Sequence, residues 1–264
     1  MRPRKRLLAA AYRDQRGAAR PDQLVLEEPL QLTLQSGQRR LRLATILRTP
    51  GHDYELVLGY LFSLQLIQAA SDLIKLDYCS TPQDYNHISV LFRGAIPEKA
   101  LQLRSQEWVH GGCGACGQDS LQTRPPHRVA PIAPWEPGWL CALPQQMRQQ
   151  QKLFEKCGGS HAAALVRPGG EVERAFEDVG RHNAVDKLVG SLLMEGLSPE
   201  GCWLLLSGRA GFELVQKAVQ ARFSAVASVG PPSSLALTYA HRAGLTLVGF
   251  LRDHRYNLYS SAEA

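Results

Sequence analysis

The chain has 264 residues, 44% of them hydrophobic and 20% charged, with 30 Lys and Arg against 24 Asp and Glu for a formal charge of +6. That composition is ordinary for a soluble globular protein able to bury a substantial core, and the basic surplus favours an anionic partner such as a nucleic acid, a phosphorylated small molecule or an acidic protein surface. No uninterrupted apolar run is long enough to span a bilayer, and six cysteines of which four stand alone (Cys79, Cys141, Cys157, Cys202) do not make a disulfide framework.

In chain order, Arg2, Arg4, Lys5, Arg6, Arg13, Arg16 and Arg20 predict a disordered basic tail over residues 1–20. Its short apolar run is followed at once by Arg13 and Asp14, unlike a signal peptide, so the expected location is cytoplasmic. Residues 23–48 alternate apolar and polar at period two, with Ser36-Gly37 as a turn, and predict paired strands. A helix is expected over 53–68 and a strand over 86–92, which together make an N-terminal α+β region of residues 21–104. Over 105–137 the periodicity lapses among glycines and prolines, and a mobile loop followed by a linker is expected.

Residues 138–264 alternate regularly. Helices are predicted over 144–156, 181–195, 212–223 and 233–243, with strands over 162–167, 203–207, 225–229 and 245–251. A return strand to residue 176 follows the Pro168-Gly169-Gly170 turn. Apolar strands separated by helices predict a mostly parallel sheet covered on both faces, an α/β/α sandwich.

The chemistry concentrates in a few places. Cys113 and Cys116 lie among glycines in His110-Gly111-Gly112-Cys113-Gly114-Ala115-Cys116-Gly117. Glycine leaves such a segment conformationally loose, and two thiols at this spacing can hold a metal, form a disulfide or pass a sulfane sulfur. Cys157 and His161 have the spacing of a second half of a zinc site. A thioredoxin-like role lacks the helix start after the pair. A nucleobase deaminase lacks His-x-Glu, and Gly112 stands where its motif has proline.

The stretch Glu177-Asp178-Val179-Gly180-Arg181-His182-Asn183-Ala184-Val185-Asp186-Lys187 opens a helix with polar groups at an anion-attracting end, or is a capped helix start. Ser207-Gly208-Arg209 follows an apolar strand, as Gly230-Pro231-Pro232 follows the next and Arg252-Asp253-His254-Arg255 the last. Open α/β sheets bind ligands outside the carboxyl ends of their strands, so three basic turns there predict a polyanion site, most simply for a nucleotide. His161 and His182 are candidates for steering or protonation.

Taken together, Arg48-Thr49-Pro50-Gly51, Cys113-Gly114-Ala115-Cys116-Gly117, Gly158-Gly159-Ser160-His161, the 177–187 stretch, Ser207-Gly208-Arg209 and residues 249–260 resemble the formate dehydrogenase accessory sulfurtransferases (FdhD family) in family order. The resemblance implies a cytidine-deaminase-like α/β/α fold without deaminase activity, working as a homodimer. It implies an enzyme, a sulfurtransferase with a cysteine persulfide intermediate. Sulfur would pass from a cysteine desulfurase to the molybdenum or tungsten bis-pterin guanine dinucleotide cofactor of formate dehydrogenase. Cys113 matches the persulfide-carrying cysteine, with Cys116 as its companion. The segment Phe250, Leu251, Arg252, Asp253, His254, Arg255 matches the part that contacts the guanine dinucleotide. Ser207, Gly208, Arg209, Arg181 and His182 join it as expected cofactor-binding residues. The cofactor is then bound as substrate, with no permanent cofactor or metal and neither nucleic acid nor membrane as partner. The competing expectation is a nucleotide-binding protein with a structural zinc held by the Cys-x-x-Cys pair. A third is a passive chaperone that shields the pterin without sulfur chemistry.

Overall fold

A computed structural model describes residues 6–13, 15–79, 85–104, 126–252 and 254–261 of the chain. Strands β1 (Leu7–Arg13) and β2 (Ala19–Val25) pair antiparallel as a two-stranded hairpin. The expected disorder of residues 1–20 is therefore corrected wherever those residues are described. Main-chain hydrogen bonds carry the ribbon, and they need no apolar alternation in the sequence. Leu26 N–H also donates to the Arg6 carbonyl (2.8 Å), which extends the hairpin ladder by one step.

Strands β3 (Glu28–Ser36) and β4 (Arg39–Arg48) follow the predicted alternation, and the inward face of β3 buries Leu30, Leu32 and Leu34 completely. Helix α1 (Asp53–Ser63) packs Leu56, Val57 and Leu61 against them. Each such side chain contributes about 1.5–3 kcal/mol when fully buried. The helix ends five residues before the predicted Gln68. Gln65 adopts a left-handed conformation (φ 58°), and Gln65 N–H donates to Phe62 O while Leu66 N–H donates to Leu61 O. These two bonds form a Schellman closure that spends the last carbonyls. Strands β5 (Leu73–Tyr78) and β6 (His87–Phe92) and helix α2 (Glu98–Arg104) complete this part, whose sheet order is β4-β3-β6-β5.

Residues 126–136 run without regular structure into α3 (Pro137–Gln150) and α4 (Lys152–Cys157). The single helix expected over 144–156 is corrected at both ends. Pro137 supplies the fixed φ that suits a helix start, so the helix begins seven residues early with Pro144 inside it, and Gln151 then breaks it in two. Beyond lie β7 (His161–Arg167), β8 (Glu171–Asp178), α5 (Arg181–Glu195), β9 (Trp203–Leu206), α6 (Phe212–Gln220), β10 (Ala225–Ser228), α7 (Ser234–Ala243), β11 (Thr246–Arg252) and β12 (Arg255–Ser260).

The second sheet runs β12-β11-β10-β9-β7-β8. Alternate strand residues feed two cores. Leu204, Leu206, Val226 and Leu247 face α5, α6 and α7, while Trp203, Leu205, Ala227 and Val248 face α3. The fold is thus mixed α/β with helices on both faces of this sheet. The mostly parallel sheet expected from the sequence is corrected: β9–β10 and β10–β11 are parallel, whereas β7–β8, β7–β9 and β11–β12 are antiparallel. The hairpins at each flank reverse the chain where a helical crossover would have kept it parallel. Among the described residues no helix is long and apolar enough to cross a membrane.

Helices α1 and α5 cross at a glycine contact. A β-carbon on Gly59 would lie 1.9 Å from the Asp186 carbonyl oxygen, and one on Gly190 would lie 1.8 Å from that of Glu55. Phe62 of α1 packs on both the N-terminal core and the core beneath the larger sheet.

Candidate functional site

The turns at the carboxyl ends of β9 and β10 are joined by backbone hydrogen bonds to each other and to the irregular Gly249–Phe250 stretch within β11. Gly230 N–H donates to Gly208 O (2.9 Å), and Phe250 N–H donates to Gly230 O (3.1 Å). Ala210 N–H reaches Pro231 O (3.2 Å), and Ala210 bridges Pro232 in parallel register. The sheet therefore continues one step past its strands as a rim of backbone. Two glycines make it flat. A β-carbon on Gly249 would lie 2.7 Å from Pro232 Cδ, and one on Gly230 would lie 3.0 Å from Arg209 Cγ. Phe250 holds φ 53°, a left-handed conformation that costs a non-glycine residue strain and that recurs at ligand sites.

Side chains border this rim on three sides. The Arg209 stem lies over Gly230 and the residue is exposed. Ser207 accepts a hydrogen bond from Ala162 N–H at Oγ (2.8 Å), which ties the β9 turn to the start of β7. His161 opens β7, with its Nδ1 3.4 Å from where a Gly208 β-carbon would sit. Burial, then the nearby Arg181 guanidinium, hold the His161 imidazole below its usual range, against a smaller opposing pull from Asp178.

His182 sits on the first turn of α5, 3% exposed, and neither ring nitrogen has a hydrogen-bond partner among the described residues. Desolvation first, then Lys217, Arg181 and His161, push its pKa down to about 3. It is therefore a neutral imidazole at pH 7, with a donor and an acceptor in reserve.

The rest of the 177–187 stretch serves a different purpose. Asp178 pairs with Lys187 (2.6 Å), both side chains being almost wholly buried, and accepts from Thr49 N–H (3.1 Å), Gly180 N–H (2.9 Å) and Asn183 Nδ2 (2.9 Å). Lys187 Nζ also donates to Thr49 O (2.9 Å), and Asn183 Nδ2 to Leu47 O (2.8 Å). Arg48 forms a second buried pair with Asp53 (3.1 Å) and donates to Asn86 Oδ1 (2.9 Å). Asp186 is held by Lys217 (2.5 Å) and Ser63 Oγ (2.8 Å). These residues bind α5 to the β4–α1 junction and to α6.

The profile of the FdhD/NarQ family matches residues 25–264. The chain belongs to that family. It is 40% identical to a protein of Streptomyces avermitilis named sulfur carrier protein FdhD, over 94% of this chain and 90% of that one. A protein of the same name from Nocardia farcinica is 41% identical over 92% of this chain and 88% of its own. A crystal structure assigned as a formate dehydrogenase accessory protein from Desulfotalea psychrophila superposes with a TM-score of 0.70 at 24% identity, covering 97% of each chain, and shares the fold.

Of the residues expected in an FdhD-family site, Ser207, Gly208, Arg209 and Phe250 lie on the rim, while Arg181 and His182, at the first turn of α5, are within electrostatic reach of His161 beside it. Arg252 and Arg255 face each other across the β11–β12 hairpin two steps beyond Phe250, both exposed, with the exposed His254 in the turn. Like charges opposed across an antiparallel pair repel, so an anion at this tip relieves them. Leu251 does not join the site. It is fully buried in the core under α3, because strand alternation turns it to the opposite face from Phe250. Cys113, Cys116 and Asp253 lie outside the described residues. Cys157, whose spacing to His161 left a zinc half-site open, donates its thiol hydrogen to Leu153 O (3.1 Å) at the end of α4. No group of three or more metal-ligating side chains gathers among the described residues. The Gly230-Pro231-Pro232 turn, absent from the expected cofactor-binding set, forms the centre of the rim; its signal was its position after the third apolar strand of the second half.

Proposed function

We propose that the chain is a sulfurtransferase that carries sulfur on Cys113 to a molybdenum or tungsten bis-pterin guanine dinucleotide, bound as substrate, for a formate dehydrogenase. The observation that carries this reading is the rim: two strand-end turns and the irregular Gly249–Phe250 stretch of β11 stitched into one flat backbone surface, flanked by Arg209 and the Arg252–Arg255 tip. Such a surface suits a flat base laid against glycine backbone, with phosphates held by guanidinium groups. Family membership and the names of the relatives support the sulfur chemistry. On the same reading the larger sheet is the deaminase-like scaffold, the active species is a homodimer, and the donor is a cysteine desulfurase.

The Cys113 thiolate attacks the outer sulfur of the donor's persulfide, forming Cys113–S–SH while the donor cysteine leaves as thiolate. The Cys116 thiolate then attacks Cys113 Sγ. The two cysteines are oxidised to a disulfide, and the outer sulfur departs with the electron pair as hydrosulfide, which the bound metal takes up. A cellular dithiol reduces the disulfide before the next cycle. The rim supplies binding and orientation, and neutral His182 offers a hydrogen bond without adding charge.

Incubation with a cysteine desulfurase and cysteine, followed by intact mass spectrometry without reductant, is expected to add the mass of one sulfur atom. Cys113→Ala is expected to abolish that gain. A protein that gains no sulfur, yet fully supports client activity as Cys113→Ala and Cys116→Ala, would be a passive chaperone, and the proposal would fail. Stoichiometric zinc lost on Cys113→Ala would favour the structural-zinc alternative instead.

A further inference from the structure

Against the β8 edge of the larger sheet, a cleft of about 440 Å³ opens between the N-terminal hairpin, the start of α1 and helices α3 and α4. It shares no residue with the rim. Its volume lies within the roughly 300–1,000 Å³ of small-molecule sites. The lining combines cations with aromatic surface. Arg6, Lys152 and Lys156 supply three positive charges, while His52 and Phe176 supply rings that meet edge to face, with centroids 4.9 Å apart.

The single carboxylate in this lining does not neutralise them. Glu177 accepts hydrogen bonds from Leu153 N–H, Phe154 N–H and Ser160 Oγ–H, each at 2.8 Å, so its oxygens are engaged in holding α4. Among the described residues no acid pairs with Arg6, Lys152 or Lys156. The Arg6 guanidinium instead lies over Gly51, where a β-carbon would come within 2.7 Å of Nη2. Its charge also disfavours the protonated form of the buried Lys187, whose amine is depressed mainly by burial. Lys187 is balanced by Asp178 at 2.6 Å, so the charges left without an acid among the described residues are those of the cleft wall itself, Arg6, Lys152 and Lys156. His52 enters α1 in a left-handed conformation (φ 56°, ψ 37°), and its Nδ1 meets Glu55 Oε1 at 3.0 Å, which fixes the ring at the cleft wall.

We propose that this cleft is a second ligand site, for a molecule of the nucleotide class, its flat ring against His52 and Phe176 and its phosphate between Arg6, Lys152 and Lys156. The site does not depend on the sulfur-transfer reading of the rim. Arg6 precedes residue 25, where the family match begins, so the cationic wall is completed by a segment outside that match.

Isothermal titration of the full-length protein with guanosine monophosphate tests it, with inorganic phosphate as the ringless probe. The cleft event is expected to weaken roughly tenfold or more in Lys152→Glu/Lys156→Glu and in His52→Gly. Glycine removes the ring while relieving the left-handed strain, so His52→Gly keeps the fold, which a melting curve checks. The rim pair Arg209→Glu/Arg252→Glu is expected to leave this event unchanged and to remove only binding at the rim, so loss of either reading is visible separately. Nucleotide binding untouched by both cleft variants would overturn the proposal, as would inorganic phosphate binding as tightly as the nucleotide.

Discussion

His182 carries the clearest single-residue consequence. Its imidazole is buried beside Lys217 and Arg181 and titrates at about 3, against an ordinary 6.5. Between those values the unfolded chain binds a proton that the folded chain refuses, so stability falls as the pH drops from 6.5 toward 3. The loss approaches about 1.4 kcal/mol per pH unit, or about 2 kcal/mol by pH 5. His161 is shifted in the same direction and adds to it. Denaturant unfolding at pH 7 and pH 5 should show a clearly smaller drop for His182→Gln than for the natural chain. Equal drops would mean that His182 is protonated in the folded state, contrary to its burial among cations.

At the scale of elements, the α1–α5 crossing sets how closely the two cores approach. Gly59 and Gly190 each face a carbonyl oxygen of the opposite helix at a distance no β-carbon tolerates. Gly59→Ala or Gly190→Ala must therefore part the helices. Overpacking of this kind costs about 1–3 kcal/mol or more, despite alanine's helix propensity. Gly138→Ala on α3, where a β-carbon meets nothing within 4 Å, should instead be neutral or stabilising by up to about 1 kcal/mol. Melting temperatures of the three variants check the opposite signs, and a stable Gly59→Ala protein would refute the close crossing. Both glycines are legible in the sequence as residues of poor helix propensity. Their partner is not, because a backbone contact between residues 59 and 186 leaves no local trace. The same limit explains the ends of α1 and α3. A Schellman closure with Gln65 in the glycine position and a Pro144 tolerated inside a helix both run against local rules that tertiary packing overrides. The rim was more readable, since three apolar strands each followed by a glycine or basic turn announce their carboxyl ends directly.

Across the whole molecule, the 177–187 stretch reads in sequence as a ligand-facing helix entrance, and most of it instead joins the two cores. The difference arises because Asp178, Asn183 and Lys187 find their partners at Leu47 and Thr49, some 130 residues earlier in the chain. Periodicity marks such residues as polar but cannot pair them. Lys187 is 1% exposed and holds both Asp178 and the Thr49 carbonyl, so its loss strands a buried carboxylate and an acceptor together. Lys187→Met is expected to cost about 3–5 kcal/mol, the range for removing one partner of a buried ion pair. The double variant Asp178→Asn/Lys187→Met should recover only part of that loss: the uncompensated charge is gone and the amide oxygen still accepts from Gly180 N–H and Asn183 Nδ2, but the amide nitrogen then faces the Thr49 N–H as a second donor. Chemical denaturation of the single and double variants measures both effects. A single-variant loss below about 1 kcal/mol would show that the ion pair contributes little to the union of the two cores.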